Sequence, residues 1–172
     1  MINEAMSITL REAREEDEAL LRKVYASTRE QELALVAWSD EQREAFLRMQ
    51  FDAQHFHYHS KFPEASYQVI LHEAEPIGRI YVLRLEEGLR ILDITLLPQY
   101  RSAGFGTKLI KEILEEADQT GKAVNIWVEH FNRSRGLFER LGFAKVQEDG
   151  VNWLLEYRSK AVNRKSSKSS ES

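Results

Sequence analysis

The chain has 172 residues, 42% of them apolar, enough to bury one substantial core and too few for two. With 24 basic against 28 acidic side chains the net charge is −4, so no overall positive field is available to hold nucleic acid or an anionic membrane. Cysteine is absent, which excludes disulfide frameworks, thiolate metal sites and an enzyme-borne sulfur nucleophile.

The opening MINEAMSITLREAREEDE has no basic-then-apolar leader, and no run of about eighteen apolar residues occurs anywhere, so a soluble cytoplasmic protein is expected. SITLREA reads as a strand. EEDEALLRKVYASTRE reads as a helix with an acidic first turn and with Leu20 and Val24 on its apolar side. Ser39 with Gln42 fits a capping box, and Phe46, Leu47, Met49 and Phe51 supply apolar positions for a second helix through the fifties. From Ser66 the pattern changes to SYQVILHE, a Glu-Pro-Ile-Gly turn, RIYVLRL, an EEG turn and LRILDITLL, which predicts three strands in an antiparallel meander.

A helix from about Gly104 to Thr120 follows, with Phe105, Leu109, Ile113 and Ala117 on one face beside Ile110 and Leu114, stopped by Gly121. KAVNIWVE is then a strand, SRGLFERL a short helix ending at Gly142, and FAKVQE with VNWLLEY a hairpin across Asp149-Gly150. The order β-α-α-β-β-β-α-β-α-β-β describes a mixed sheet whose strand–helix–strand piece around residue 110 is parallel and right-handed. One domain is expected over residues 1–158. The stretch from Ser159, SKAVNRKSSKSSES, lacks aromatic residues and cannot bury enough apolar surface to offset its ordering entropy, so residues 159–172 are expected to be a disordered tail.

The most informative stretch is RSAGFG, residues 101–106, between LRILDITLL and the helix. Glycines there remove Cβ atoms that would block close approach, and helix N-terminal amides add partial positive charge, so a phosphate or pyrophosphate is the natural ligand; an empty tight turn is the plain alternative. A dinucleotide fingerprint would need a third glycine where Leu109 stands, although Glu129 lies at a suitable distance for the ribose-binding acid. A Walker loop fails at Gly106-Thr107-Lys108, which lacks the earlier glycine spacing and the Lys-Ser/Thr ending.

Asp93 lies inside the apolar run ILDITLL, where an acid must be either hydrogen-bonded, for instance to nearby backbone, or functional. Glu129 and His130 leave the next parallel strand. HFHYH places His55 and His59 on one helix face with Asp52 near them, but with no second cluster no metal site is assigned, and packing near a pocket is the preferred role.

LLPQYRSAGFGTKLI resembles the acetyl-CoA-binding motif of the GCN5-related N-acetyltransferase (GNAT) superfamily, Arg/Gln-x-x-Gly-x-Gly/Ala after a strand and Pro, filled here by Arg101, Gly104 and Gly106. FNRSRGLFERLGF resembles the second family motif, with Leu137, Glu139, Leu141, Gly142 and Phe143 matching. The resemblance implies an α/β, single-domain acyl-CoA N-acyltransferase fold, with a mixed, mostly antiparallel central sheet flanked by helices. It further implies that turn amides of Arg101, Ser102, Ala103, Gly104, Phe105, Gly106 and Thr107 hold the pyrophosphate of acetyl-CoA or coenzyme A. Leu96 and Leu97 would pair with the pantetheine arm, and Asn132 and Phe138 would complete the cofactor-binding set. Two departures stand out: the family's Asn position is Phe131, with an Asn one residue later, and its leaving-group Tyr position is Phe138.

The implied reaction is direct acetyl transfer, in a ternary complex and without a metal, to a primary amine of a small molecule. A peptide or protein amine is an alternative acceptor, and a non-catalytic CoA-binding regulatory module an alternative role. A Lys-like amine with a pKa of about 10.4 needs a base, for which Asp93 leads and Glu129 follows. The acceptor region implied is Tyr25 to Tyr67, with Glu30, Glu32, Trp38, Gln54, His55 and Tyr58. The partners expected are the amine acceptor alone, with no nucleic acid and no membrane, and the sequence is silent on whether the chain forms a homodimer.

Overall fold

Residues 77–83 are buried without interruption, as expected of a strand covered on both faces. They belong to β3 (Glu75–Arg84) in a computed structural model that describes residues 7–160. The other elements are β1 (Ile8–Glu12), α1 (Glu18–Ser27), α2 (Glu30–Leu33), α3 (Asp40–Lys61), β2 (Ser66–His72), β4 (Gly88–Leu96), α4 (Phe105–Thr120), β5 (Ala123–Glu129), α5 (Arg135–Arg140), β6 (Ala144–Glu148) and β7 (Asn152–Tyr157). The strands form one sheet in the order β1-β2-β3-β4-β5-β7-β6. Ladders β1–β2, β5–β7 and β6–β7 are antiparallel, and β4–β5 is parallel over Gly88–Ile91 and Ala123–Ile126. This is the mixed, mostly antiparallel sheet flanked by helices that the sequence implied. Among the described residues no helix is long and apolar enough to cross a membrane.

Contacts group the chain into two units that interleave in sequence, one within Met1–Tyr81 and Asp93–Ala103, the other within Val82–Leu92 and Gly104–Ser172. In the first unit, Leu21, Tyr25 and Phe51 form a core against which Ala13 and Leu47 pack. The buried face of α1 is Leu21, Val24 and Tyr25, one residue on from the expected Leu20, which is half-buried. At the start of α3 the expected capping box is present: the Ser39 Oγ accepts from the Gln42 N–H at 3.2 Å, and the Gln42 side chain accepts from the Ser39 N–H at 2.9 Å. Of the apolar positions expected on α3, Phe51 is buried, Phe46 and Leu47 are half-buried, and Met49 is exposed.

The entry to the sheet is fixed by Asp17, buried at 6% exposure in the 3-10 turn Glu15–Asp17. Its carboxylate accepts both guanidinium arms of Arg11, at 2.7 and 2.8 Å, and the Arg14 N–H at 2.8 Å. The Arg11 hydrogen bonds, followed by the backbone bond from Arg14, hold this carboxyl below its usual range against the opposing effect of burial.

The Glu-Pro-Ile-Gly turn is not where the chain reverses. Glu73 and Ala74, at φ 49° and 66°, make the turn between β2 and β3, and residues 75–78 already belong to β3. Gly78 is needed for proximity instead: a Cβ built there would fall inside the envelope of the Thr95 carbonyl oxygen and 3.0 Å from the Leu96 Cα.

In the second unit, α4 buries Phe105, Leu109, Ile110, Ile113, Leu114 and Ala117, the apolar stripe read from the sequence. The last hairpin turns through Asp149–Val151, one residue longer than the expected Asp-Gly pair, with the Asn152 N–H donating to the Asp149 Oδ1 at 2.8 Å. Past Arg158 the chain is still held: Ser159 is fully buried, and the Lys160 N–H donates to Asp118 at 3.2 Å. The rest of the expected tail, 161–172, lies outside the described residues.

Asp17→Asn is expected to lower stability by about 1.5–3 kcal/mol in urea denaturation at neutral pH, the range for hydrogen bonds to a charged group. Because the folded pKa is depressed, the wild-type advantage is full above the unfolded value of about 3.9 and is lost as pH falls through the folded value. Gly78→Ala is expected to cost about 1–3 kcal/mol in the same measurement, since the backbone of β4 must move aside.

Candidate functional site

The end of β4 runs straight into the glycine turn. The Leu97 N–H donates to the Ile77 carbonyl of β3 at 2.8 Å, and the Leu97 carbonyl accepts the Tyr100 N–H at 3.0 Å. Both backbone groups of Leu97 are therefore in use. Strand alternation turns the N–H and C=O of Leu96 toward the edge away from β3, where the carbonyl accepts the Arg101 Nε at 2.9 Å. Of the two residues expected to face a pantetheine arm, Leu96 is the one that presents a backbone N–H on that edge.

Pro98–Tyr100 form one 3-10 turn, closed by the Arg101 N–H donating to the Pro98 carbonyl at 3.2 Å. The Arg101 guanidinium folds back on the strand end and also donates to the Ser27 Oγ at 3.1 Å. Arg101 is thus a brace for the turn, and its own amide is committed. Ser102 at φ 60° and Gly104 at φ 92° then reverse the chain into α4, Gly104 being the N-cap. The Lys108 N–H bonds back to the Gly104 carbonyl at 3.0 Å, so Gly106 and Thr107 lie in the first turn, where amides have no acceptor within their own helix. No acidic side chain stands in that first turn, so the positive end of the helix dipole is not cancelled from within.

Asp93 has a partner the sequence reading did not name. The guanidinium of Arg79, 2% exposed in β3, donates to Asp93 Oδ2 from Nη2 at 2.9 Å and to Oδ1 from Nε at 3.3 Å. Arg79 Nη2 also donates to the Gln54 Oε1 at 2.8 Å, and its Cζ lies 5.0 Å from the Tyr81 ring centroid. The Thr95 hydroxyl donates to Asp93 Oδ1 at 2.7 Å. Burial pulls the guanidinium pKa down, but Asp93, together with Tyr81 and Tyr58, more than offsets it and the net shift is upward. Asp93 is thus a hydrogen-bonded counter-ion, with side chains as partners in place of the expected backbone. A signal was present in the sequence: Arg79 in RIYVLRL and Asp93 in ILDITLL are charges embedded in consecutive apolar strands of one meander, positions that only mutual pairing makes tolerable.

Around this pair runs an aromatic ladder. His55 stacks on Phe51 at 5.5 Å and meets His59 at 4.3 Å; His59 stacks on Tyr67 at 3.9 Å; Tyr81 meets Tyr67 at 4.8 Å and Tyr58 at 5.8 Å, both edge-on. Burial, followed by His55, pulls the His59 pKa down, and burial pushes the Tyr58 and Tyr81 hydroxyls up. His57 meets Tyr58 at 6.2 Å. Among the described residues no group of three or more His, Cys, Asp or Glu could hold a metal ion. Of the other acceptor-side residues, Glu32 pairs with Arg29 at 2.9 Å and Trp38 meets Phe46 edge-on at 5.2 Å. A groove of about 200 Å³ lined by Arg22, Lys23, Ala26, Glu44, Leu47 and Arg48 shares no residue with the turn.

In the second unit, Glu129 ends β5 half-buried, opposite Asn152 in the β7 ladder, and its carbonyl accepts the Asn132 N–H at 2.9 Å. The Asn132 Oδ1 accepts both the N–H (2.9 Å) and the hydroxyl of Ser134, so this side chain is spent on the turn before α5. Phe138 is 1% exposed and meets Phe143 edge-on at 5.2 Å; it packs as core and carries no hydroxyl.

The sequence profile of the acetyltransferase (GNAT) family matches residues 21–143. Among curated proteins none matches the chain in sequence. Solved structures with the same fold include the PaiA N-acetyltransferase of Thermoplasma acidophilum in complex with coenzyme A, at 19% identity, over 89% of this chain and 99% of that one, with a TM-score of 0.67. A GCN5-related N-acetyltransferase from Rhodopseudomonas palustris is similar at 20% identity, 90% and 98% coverage and a TM-score of 0.63. An acetyltransferase from Thermus thermophilus is similar at 18% identity, 89% and 97% coverage and a TM-score of 0.63. With its fold, its glycine turn and a profile match across both motifs, the chain belongs to the acetyltransferase (GNAT) family.

Proposed function

We propose that the protein transfers the acetyl group of acetyl-CoA to the primary amine of a small molecule, directly, with both substrates bound, and that it does so in the cytoplasm. The observation that carries this reading is the Gly104 turn: a left-handed N-cap that sets first-turn amides ahead of the α4 dipole, where a pyrophosphate is stabilised. The amides of Ser102 through Thr107 hold that pyrophosphate, with Arg101 bracing the turn by its side chain. The Leu96 N–H takes the pantetheine arm or, at the reacting end, the developing oxyanion. A phosphate-only ligand would leave the Leu96 edge without a purpose.

Glu129 is the base. Asp93 is occupied as the counter-ion of Arg79, one oxygen taken by the guanidinium alone and the other shared between it and the Thr95 hydroxyl, whereas Glu129 carries no side-chain pairing among the described contacts. Deprotonating a Lys-like amine at pH 7 costs about 4–5 kcal/mol, and a general base contributes about 10²–10⁴-fold. Phe138 supplies no proton to the leaving thiolate. With a thiol pKa of about 8.5, the thiolate departs without one near neutral pH. Phe138 and Asn132, both expected among the cofactor contacts, support the site by packing and by shaping the turn before α5.

Release of free thiol from acetyl-CoA across a panel of small amines and peptides tests the reading. Turnover is expected with at least one small amine; CoA binding without turnover on any acceptor would favour a regulatory module, and turnover on peptides alone a protein-directed enzyme. Gly104→Ala is expected to weaken CoA binding about tenfold or more in calorimetry, because a Cβ at that φ is strained by about 1–2 kcal/mol. Glu129→Gln is expected to lower kcat about 10²-fold, with CoA affinity unchanged.

A further inference from the structure

We infer that Arg79 is a positioning residue for the donor: by holding Asp93, and through it Thr95, it sets the course of β4 at Leu96. The inference rests on the proposal that Leu96 receives the pantetheine arm, and it assigns a task to a buried charge pair that acetyl transfer itself does not require.

Three attachments tie residues 93–97, the end of β4 and the residue after it, to β3, and the first begins at Arg79. The guanidinium grips both oxygens of Asp93, and the Thr95 hydroxyl hangs on the same Oδ1 at 2.7 Å. At the neighbouring position, Gly78 lets the Thr95 carbonyl and the Leu96 Cα approach where no side chain fits. One residue further along, the Leu97 N–H closes on the Ile77 carbonyl. Leu96 lies in the middle of these anchors, so its N–H direction follows from how its neighbours are pinned.

The other end of the guanidinium reaches α3 through Gln54 at 2.8 Å, so the same group registers the helix against the strand. A planar fork is what this geometry uses: Nε and Nη2 meet the carboxylate, and Nη2 is shared with the amide oxygen. Lysine offers one point of charge and cannot make that pattern. Without Arg79 the Asp93 carboxylate, 13% exposed, is left with the Thr95 hydroxyl alone and must turn toward water, taking Thr95 with it.

The test uses the full chain and two probes in calorimetry. Coenzyme A engages both the turn and the strand edge, while 3′-phosphoadenosine 5′-diphosphate carries the pyrophosphate and lacks the pantetheine arm. Arg79→Lys is expected to weaken coenzyme A about tenfold or more and to leave the truncated probe within about twofold of wild type. Thr95→Val, which keeps the ion pair and removes only the hydroxyl link, is expected to show the same selectivity at about three- to tenfold, and it decides the matter where Arg79→Lys does not fold. Unchanged coenzyme A affinity in a folded variant, or equal weakening of both probes, overturns the positioning role. Wild-type protein that binds neither probe overturns the donor reading, and this inference with it.

Discussion

A guanidinium that is 2% exposed has to be satisfied where it stands, and much of the first unit is arranged to do so for Arg79. Gln54 comes from a helix, Asp93 from a strand and Tyr81 from the next inward-facing position of β3, and each is placed by its own element's periodicity. The arrangement stabilises less than a row of leucines could, because desolvating two ions is costly. What it supplies is direction: the fork meets both oxygens of Asp93 and shares Nη2 with Gln54, a pattern that apolar side chains do not impose. Further along, the Arg101 guanidinium braces the end of the same strand, donating to the Leu96 carbonyl and the Ser27 Oγ.

Much of this was legible in the sequence. Three apolar runs between short polar breaks predicted the meander, and the stripe from Phe105 to Ala117 predicted α4, because burial imposes periods of two and 3.6 that survive any detail of packing. The misplaced turn at Glu-Pro-Ile-Gly shows the limit. Pro and Gly are read as turn residues, yet here Glu73 and Ala74 take the left-handed conformations and Gly78 serves a close approach between strands, a constraint set by the partner strand and invisible in a local window.

The site was legible in its glycines and less so in its charges. Gly104 has the left-handed backbone that a turn of this kind demands. Asp93 was readable as an acid that needs a reason, but the reason, Arg79, lies fourteen residues away on the adjacent strand and required pairing two strands to find. Asn132 and Phe138 illustrate the converse. A motif places them near the cofactor, while the structure spends the amide of one on Ser134 and the ring of the other on Phe143. The chemistry proposed is spare: alignment of two bound substrates, which can supply about 7–11 kcal/mol, a strand N–H and a dipole to stabilise charge, and one carboxylate to take a proton.

The central claim is that the donor is held by backbone amides along one short segment, from Leu96 through the turn to Thr107. Titrating isotope-labelled protein with coenzyme A and following the amide resonances measures this directly. The account predicts that the largest shifts fall on Leu96, Gly104, Gly106 and Thr107, with little change at Leu97 and Arg101, whose amides are already bonded within the fold. Shifts centred on the groove lined by Arg22, Lys23 and Arg48, with the turn unmoved, would contradict it.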